Sequence, residues 1–333
     1  MSGRRGVRPG PRGESGNRKV ITTMYGTILV PLDGSHLAER ALPYARRLAA
    51  ASGSRLVLLW VLRAPGAAAA GDPLREVAPR REAAAYLQGI AGQQGPTPVE
   101  TVVLEGDAAP AIVDAAARAG AGLIVMSTHG RSGLGRWLYG SVADAVVRHA
   151  GAPVLLVPAA GPARAWASDR PLQVLVPLDS SARSEAVLPA ARDLAATGAA
   201  LILLSVTPQV ISADMYGAAY MGYDVEVDTT ERREYLERLA TPLRAAGYAV
   251  SVRAGFGFVP VVIGEVAEAA GADLIALATH GSGGATRLLM GSVATGVVQR
   301  ATVPVLVVRP ADEPPPAPPP ATPETLSAGS PGR

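Results

Sequence analysis

Two stretches of the chain combine a short apolar run, several glycines and a serine in the same order. The first, LIVMSTHGRSGLGRWLYGSV, covers residues 123–142, and the second, LIALATHGSGGATRLLMGSV, covers residues 274–293. Each predicts a strand buried on both faces, then a glycine turn and the start of a helix. Such a turn places backbone N–H groups at the positive end of a helix dipole, where phosphates bind. The repeated spacing therefore predicts a phosphate site in each half of the chain.

In each stretch two glycines lie ten residues apart, and a serine follows the second glycine. Glycine has no Cβ, so the backbone can approach a ligand closely, and the serine hydroxyl adds a donor where the helix begins. The predicted phosphate-binding residues are Gly130, Gly140 and Ser141 in the first stretch and Gly281, Gly291 and Ser292 in the second. The chain has no GxxxxGK[ST] sequence and no GxGxxG after the first strand of either half, which argues against a P-loop hydrolase and a dinucleotide fold.

An aspartate follows an apolar strand in each half, within the shared sequence VPLD. The carboxylate of Asp33 or Asp179 can accept a hydrogen bond from a ribose hydroxyl or help to hold a metal ion. The same residue can instead form a turn or cap the next helix, and the sequence leaves these roles open. His129 and His280 are interpreted as turn residues, because no second histidine or carboxylate stands near them at metal-ligand spacing.

Composition narrows the kinds of protein that can carry these sites. The chain has 333 residues, is 48% hydrophobic and contains no cysteine, which excludes disulfides, thiolate catalysis and cysteine zinc sites. No apolar run approaches the ~20 residues of a membrane span, and the basic N-terminus lacks the apolar segment of a signal peptide. We therefore expect a soluble cytoplasmic protein. Residues 1–23 hold six basic side chains and one acidic one, so the net charge of +3 does not predict a nucleic-acid partner.

The order of predicted strands and helices occurs twice along the chain. Strands alternate with helices, which predicts an α/β fold of two doubly wound, parallel five-stranded sheets with helices on both faces. The predicted segments are a disordered basic extension over 1–23, a domain over 24–158, a linker over 159–171, a second domain over 172–310 and a disordered Pro-rich tail over 311–333. Single helices are predicted over 36–51 and about 182–196, loops over 63–79 and 207–225, and a strand over 250–253.

These residues resemble the universal stress protein family, in a tandem two-domain form. The resemblance rests on ILVPLDGS (28–35) with VLVPLDSS (174–181), and on STHG and ATHG, each followed by nine residues and GS (127–141 and 278–292). It covers about 24–158 and 172–310. It implies a strand order of 3-2-1-4-5, as in the adenine nucleotide alpha-hydrolase-like fold, and the ATP-binding motif G-x-x-G, nine residues, G-[S/T]. Ser127 and Ala278 stand where that motif has its first glycine.

By this resemblance each half would bind ATP, with Mg²⁺ or Mn²⁺ as the candidate metal ion. The aspartate and the glycine motif would hold the ribose and phosphates, the backbone of Val61 would meet the adenine, and Met126 would line the pocket. The implied binding residues are Pro31, Asp33, Val61, Met126, Ser127, Gly130, Gly140, Ser141 and Val142 in the first half and Pro177, Asp179, Val206, Leu277, Ala278, Gly281, Gly291, Ser292 and Val293 in the second. Family members pair through the last strand of the domain. Residues 154–157 and 305–308 would then pair within one chain as a built-in dimer, and a homodimer of chains stays open.

The sequence contains no convincing pair of general base and nucleophile, so we expect an ATP-binding stress-response sensor or binder with at most slow hydrolysis. Two alternatives stay open. One is an interaction module of the same family whose pockets bind no nucleotide, and the other is an ATP-using enzyme of the adenine nucleotide alpha-hydrolase class. Calorimetric titration with ATP distinguishes the first, and release of pyrophosphate would mark the second.

Overall fold

The computed structural model describes most of both predicted domains. The described residues are 25–63, 73–93, 95, 97–128, 140–159, 166, 170–196, 198–209, 225–279 and 290–310, and for 73–78 and 225–228 only the backbone is described. The predicted extension over 1–23, the predicted tail over 311–333 and the four loop residues His129, Gly130, His280 and Gly281 lie outside this part of the chain.

Strands and helices follow the same order in both halves. The first half contains β1 (Thr27–Leu32), α1 (His36–Glu39), α2 (Leu42–Ser52), β2 (Arg55–Leu62), α3 (Pro73–Ala91), β3 (Val99–Glu105), α4 (Ala108–Arg118), β4 (Leu123–Ser127), α5 (Ser141–His149) and β5 (Val154–Val157). The second half contains β6 (Gln173–Pro177), α6 (Ala182–Glu185), α7 (Leu188–Ala196), β7 (Ala200–Pro208), α8 (Val225–Ala245), β8 (Val250–Gly257), α9 (Val259–Ala269), β9 (Leu274–Ala278), α10 (Ser292–Arg300) and β10 (Val305–Val308). None of the described helices is both long and apolar enough to cross a membrane.

The described strands form one sheet of ten, in the order β3-β2-β1-β4-β5-β10-β9-β6-β7-β8. Each half has the predicted order 3-2-1-4-5 with parallel neighbours, so that prediction is confirmed. The two halves meet where β5 and β10 pair antiparallel, with Val305 opposite Leu156 and Val307 opposite Val154. The predicted pairing within one chain is therefore observed, and it makes the two five-stranded sheets continuous.

Aliphatic side chains cover both faces of this sheet. Because side chains alternate along a strand, Ile28 and Val30 of β1 lie in the core under one layer of helices, whereas Leu29 lies in the core under the other. Residues from both halves contribute to each of these two cores. The near-continuous apolar runs of the strands follow from this double burial.

The helix predicted over 36–51 is two helices, because a proline interrupts the hydrogen-bond ladder. Pro43 has no N–H to donate to the carbonyl four residues earlier, so α1 ends at Glu39 and α2 begins at Leu42. Between them, Arg40 N and Ala41 N donate to carbonyls only three residues back, at 3.3 and 3.1 Å. The same correction applies to the helix predicted over 182–196, where Pro189 separates α6 from α7 in the same way.

Two further boundaries differ from the sequence predictions. Residues 73–79, predicted as part of a loop, are the first turns of α3, which begins at Pro73 and contains Pro79. Proline suits the first turn of a helix, where its missing N–H would have no partner within the helix. The strand predicted over 250–253 continues to Gly257, because β8 pairs with β7 as far as Pro208 opposite Gly257.

Trp166 and Arg170 of the predicted linker make contacts with the packed domains. Trp166 is 7% exposed and packs edge-on against Tyr44 of α2, with ring centroids 4.9 Å apart. Its indole Nε1 donates a hydrogen bond to the carbonyl of Asp273, directly before β9, at 3.0 Å. The Asp273 carboxylate also accepts two hydrogen bonds from Arg170, at 2.6 and 2.7 Å. The linker therefore contributes to the packing between the halves.

Candidate functional site

The predicted sites lie where the strand order reverses, beside β1 in the first half and β6 in the second. β1 is flanked by β2 on one side and β4 on the other, and β6 is flanked in the same way by β7 and β9. The carboxyl ends of these strands therefore open into a crevice, the usual ligand position of such sheets. Asp33 follows β1 and Thr128 follows β4, so residues distant in sequence meet at this edge.

The two ends of the glycine turn are held identically in both halves. Thr128 N donates to Val157 O at 2.9 Å, and Gly140 N donates to Thr128 O at 2.8 Å. In the second half Thr279 N donates to Val308 O at 2.9 Å, and Gly291 N donates to Thr279 O at 2.8 Å. Matching bonds bring the helix that follows back to the end of the same strand in both halves, although the residues between lie outside the described part.

The helix that follows the turn begins at a glycine in both halves. Gly140 and Gly291 are the N-cap residues of α5 and α10, and neither supplies a side-chain oxygen to cap the helix. The first hydrogen bonds to their carbonyls come from Asp144 N at 3.0 Å and Thr295 N at 2.9 Å. Val142 and Val293, in the first turns, are 37% and 40% exposed. The N–H groups at a helix N-terminus are suited to an anion.

A cavity of about 340 Å³ occupies the crevice of the second half. It is lined by Pro177, Asp179, Val206, Leu277, Ala278, Gly291, Ser292 and Val293, which are all the predicted second-half residues except Gly281. Gly281 lies outside the described residues. The volume falls within the ~300–1,000 Å³ of ligand pockets, and the lining is mostly apolar with a few polar groups.

Several cavity-lining residues were not predicted from the sequence. Ser184 and Arg232 add polar groups, and Val259 and Ile263 of α9 add an apolar wall. No motif marks these residues, because they reach the cavity through the packing of α6, α8 and α9 on the sheet. A repeat comparison of the two halves could have singled out Arg232, since Ala83 stands at the equivalent place.

The structure shows the turn role of both aspartates. Asp33 Oδ1 accepts hydrogen bonds from Ser35 N at 3.0 Å and Ser35 Oγ at 2.6 Å, and Ser35 Oγ in turn caps α1 by accepting from Ala38 N. Asp179 Oδ1 accepts the same two bonds from Ser181. This turn positions each carboxylate at the strand end, and Asp179 also lines the cavity.

The remaining first-half residues lie at equivalent places along the strands. Met126 and Ser127, at the end of β4, are each 6% exposed, and Val61 is half-buried at the end of β2. Pro31 is half-buried in β1 opposite Leu59 of β2. The second-half counterparts Leu277, Ala278, Val206 and Pro177 line the cavity described above.

The two halves differ at the second strand. Trp60 of β2 packs edge-on against Tyr86 of α3, with ring centroids 5.1 Å apart. In β7 the equivalent position is Ser205, and Thr207 replaces Leu62 two residues further on. Arg232 Nε donates to Thr207 Oγ1 at 2.8 Å and its Nη1 donates to Ser205 Oγ at 3.1 Å. An aromatic contact in one half is thus a polar cluster in the other.

One tyrosine contact is shared by both halves. Tyr86 donates a hydrogen bond to Glu39 Oε1 at 2.8 Å, and Tyr235 donates to Glu185 Oε1 at 2.9 Å. Burial, and next the hydrogen bond to the carboxylate, raise the pKa of both tyrosines well above the ordinary value. These bonds join α3 to α1 and α8 to α6 beside the two crevices.

Within the described residues, no three His, Asp or Glu side chains form a metal-binding cluster.

Comparison with models of protein families identifies the family of this chain. The model of the universal stress protein family matches residues 24–158 and again residues 172–309. The chain belongs to the universal stress protein family. The resemblance inferred from the VPLD and glycine motifs is confirmed, and both matched spans contain the residues of the predicted sites.

Relatives of this universal stress protein share its tandem arrangement or one half of it. A universal stress protein of Mycolicibacterium smegmatis is 30% identical over 305 residues, covering 86% of this chain and 98% of the relative. One from Thermus aquaticus is 38% identical over 137 residues, covering 40% of this chain and 99% of the relative. The crystal structure of a universal stress protein from Archaeoglobus fulgidus has the same fold, with a TM-score of 0.63, 22% identity and coverage of 86% of this chain and 98% of that one.

Proposed function

We propose that this universal stress protein binds ATP in the crevices of its two halves and acts in the cytoplasm as a nucleotide-dependent binder or sensor. The observation that carries the proposal is the second-half cavity, whose lining combines Asp179, the end of β7 and the start of α10. The motifs and the family resemblance assign the same residues to nucleotide binding.

The two ends of the cavity suit the two ends of a nucleotide. Gly291 and Ser292 begin α10, so the triphosphate would lie against N–H groups at the positive end of the helix dipole. Val206 lies two strands away from β9, about 10 Å across the sheet, so the base would lie there and the ribose between, beside Asp179. The first half presents the same elements through α5, Asp33 and Val61.

A divalent cation fits this arrangement as a companion of the nucleotide. Mg²⁺ is commonly held by one or two carboxylates together with phosphate oxygens, and each crevice has one aspartate at the strand end. Asp33 and Asp179 are the residues that would contribute, with Mg²⁺ or Mn²⁺ neutralising the phosphate charge. No described pair of nucleophile and general base is evident beside either aspartate, so we expect hydrolysis to be slow.

Calorimetric titration of the full chain with ATP tests the proposal. We expect two equivalents to bind, and Gly140→Val and Gly291→Val each to remove one, because the new side chain would obstruct the start of α5 or α10. Both glycines have extended backbone angles that valine adopts readily, so the variants should fold. Gly89→Val, on an exposed position of α3 with open space around its Cβ, is the matched control.

The outcomes separate the proposal from its alternatives. Two equivalents in wild type with one in each crevice variant support it. An unchanged stoichiometry in both variants would show that the sites are misplaced. Absence of ATP binding by the wild-type chain would favour the interaction module, and release of pyrophosphate would favour the enzyme.

A further inference from the structure

Arg232 places a cation at the wall of the second-half cavity, and Ala83 stands at the equivalent position of the first half. Its guanidinium donates to the hydroxyls of Thr207 and Ser205, at 2.8 and 3.1 Å, and both hydroxyl-bearing residues are 0% exposed. The tyrosine contacts align α8 with α3, since Tyr235 and Tyr86 make the same bond to a glutamate of the preceding helix. By that alignment the first half carries Ala83, Leu62 and Trp60 at the three positions.

All three positions differ between the two halves, so the arginine and its two hydroxyl partners occur as a set in the second half. A buried hydroxyl without a partner costs free energy, and Arg232 donates a hydrogen bond to each of the buried hydroxyls of Ser205 and Thr207. In exchange the two hydroxyls hold Nε and Nη1 and orient the planar guanidinium. Two hydrogen bonds thus fix the orientation of the guanidinium of Arg232, a residue that lines the cavity.

The position of Arg232 corresponds to the base of a bound nucleotide. Ser205 and Thr207 flank Val206, the β7 residue that lines the cavity where the proposed function places the base. The start of α10, where phosphates would bind, lies beside β9, and β9 is separated from β7 by β6. Two strand spacings amount to about 10 Å, so Arg232 lies at the end of the cavity where the base would bind and away from the end where the phosphates would bind.

Arginine at this place discriminates between purines. Its guanidinium has only donors, and it matches the adjacent acceptors O6 and N7 of guanine or hypoxanthine. Adenine presents the donor N6 amino group in place of O6, and two donors repel each other. We propose that the second-half site binds 6-oxopurine nucleotides more tightly than ATP through Arg232, whereas the first-half site, with Ala83 and Trp60, lacks this preference. This inference rests on the proposed function of the crevices as nucleotide sites.

Chains with a single remaining site test this inference. Gly140→Val leaves the second-half site and Gly291→Val leaves the first-half site, and each full-length chain is titrated with GTP, ITP and ATP. In the Gly140→Val chain we expect GTP and ITP to bind about 10-fold more tightly than ATP, the size of one bidentate arginine contact. ITP is included because it keeps O6 and N7 but lacks the 2-amino group of guanine.

Arg232→Lys in each single-site chain shows whether the guanidinium is responsible. Lysine keeps the charge and a donor for the buried hydroxyls but lacks the planar fork, so we expect the preference for GTP and ITP to disappear in the Gly140→Val chain. The same substitution in the Gly291→Val chain should leave every ratio unchanged. Arg232→Ala, checked for folding by its melting temperature, provides a second variant.

Each result supports or overturns one statement. A 10-fold preference that Arg232→Lys and Arg232→Ala both abolish supports the inference. Equal affinities in the Gly140→Val chain, a preference that survives both variants, or nucleotide binding confined to the first half would overturn it while the first-half proposal stands. Absence of nucleotide binding by the wild-type chain would overturn the proposed function, and the inference with it.

Discussion

At the second strand of each half, the first half carries Trp60 and Leu62 and the second carries Ser205 and Thr207. The strands nevertheless pair in the same register with their neighbours, and both are followed by a helix whose tyrosine bonds to a glutamate. The backbone frame is thus insensitive to whether the space under the helix is filled by an aromatic pair or by an arginine and two hydroxyls. A duplicated fold can therefore keep its backbone and change the side chains beside its crevices.

The outer edges of the sheet differ as well. β3 is covered by charges, since Arg80 donates to Glu105 Oε1 at 2.8 Å. At the equivalent place of β8 stands Phe256, and Phe258 begins the next turn. These are the two phenylalanines of the chain, and they are 42% and 62% exposed. An ion pair therefore covers the carboxyl end of the edge strand in the first half, whereas exposed phenylalanines border that end in the second.

The largest loss of stability is expected from Trp60→Ser. This substitution places in β2 the residue type that β7 has at the equivalent position, Ser205. Serine leaves a void against Tyr86 and has no arginine to bind, because Ala83 occupies the equivalent helix position. We expect a loss of about 2–3 kcal/mol in the free energy of unfolding, measured by urea titration.

Addition of Ala83→Arg to this variant is the control. If the comparison of the halves is correct, the arginine restores part of the stability by meeting the new hydroxyl. A Trp60→Ser chain as stable as wild type would show that the aromatic pair does not support the first half.

A smaller effect is expected from the shared tyrosines at high pH. Because burial and the carboxylate raise the pKa of Tyr86 and Tyr235, the unfolded chain loses these protons first as the pH rises above 10. Stability is therefore present below pH 10 and falls above it, by up to about 1.4 kcal/mol per pH unit for each tyrosine.

Tyr86→Phe and Tyr235→Phe should each make this fall less steep, by equal amounts if the two contacts are equivalent. The measurement is the free energy of unfolding as a function of pH. Tyr25, whose pKa burial also raises, keeps a residual slope in both variants. Unequal slopes would show that the surroundings of Tyr86 and Tyr235 differ despite their shared hydrogen bond to a glutamate.

The smallest effect concerns the turn beside each aspartate. Gly34 has a φ of 78°, and the equivalent Ser180 has a φ of 68°, in the left-handed region that side chains disfavour. We expect Ser180→Gly to stabilise the chain by about 0.5–1 kcal/mol and Gly34→Ser to destabilise it by a similar amount. Thermal unfolding of the two variants checks both signs, and a destabilised Ser180→Gly chain would show that the serine compensates for its strain.

Most of the frame could be predicted because it depends on local patterns. Apolar runs of four to seven residues indicated most of the buried strands, and the repeated VPLD indicated where each half begins. The helix breaks before Pro43 and Pro189 were missed, although both prolines are visible in the sequence, because the apolar stripe continues across them. The start of α3 at Pro73 was missed because alanine, glycine and proline in 63–79 favoured a loop.

The sequence by itself determined the strands, the faces they bury, the duplicated glycine and serine spacing and, through these, the family. Those features are encoded by residues within one element or one turn. Only the tertiary structure decided that Arg232 meets Ser205 and Thr207, and that Trp166 joins Tyr44 to Asp273. These contacts connect residues 25 to 122 positions apart, and periodicity along an element constrains no partner at that separation.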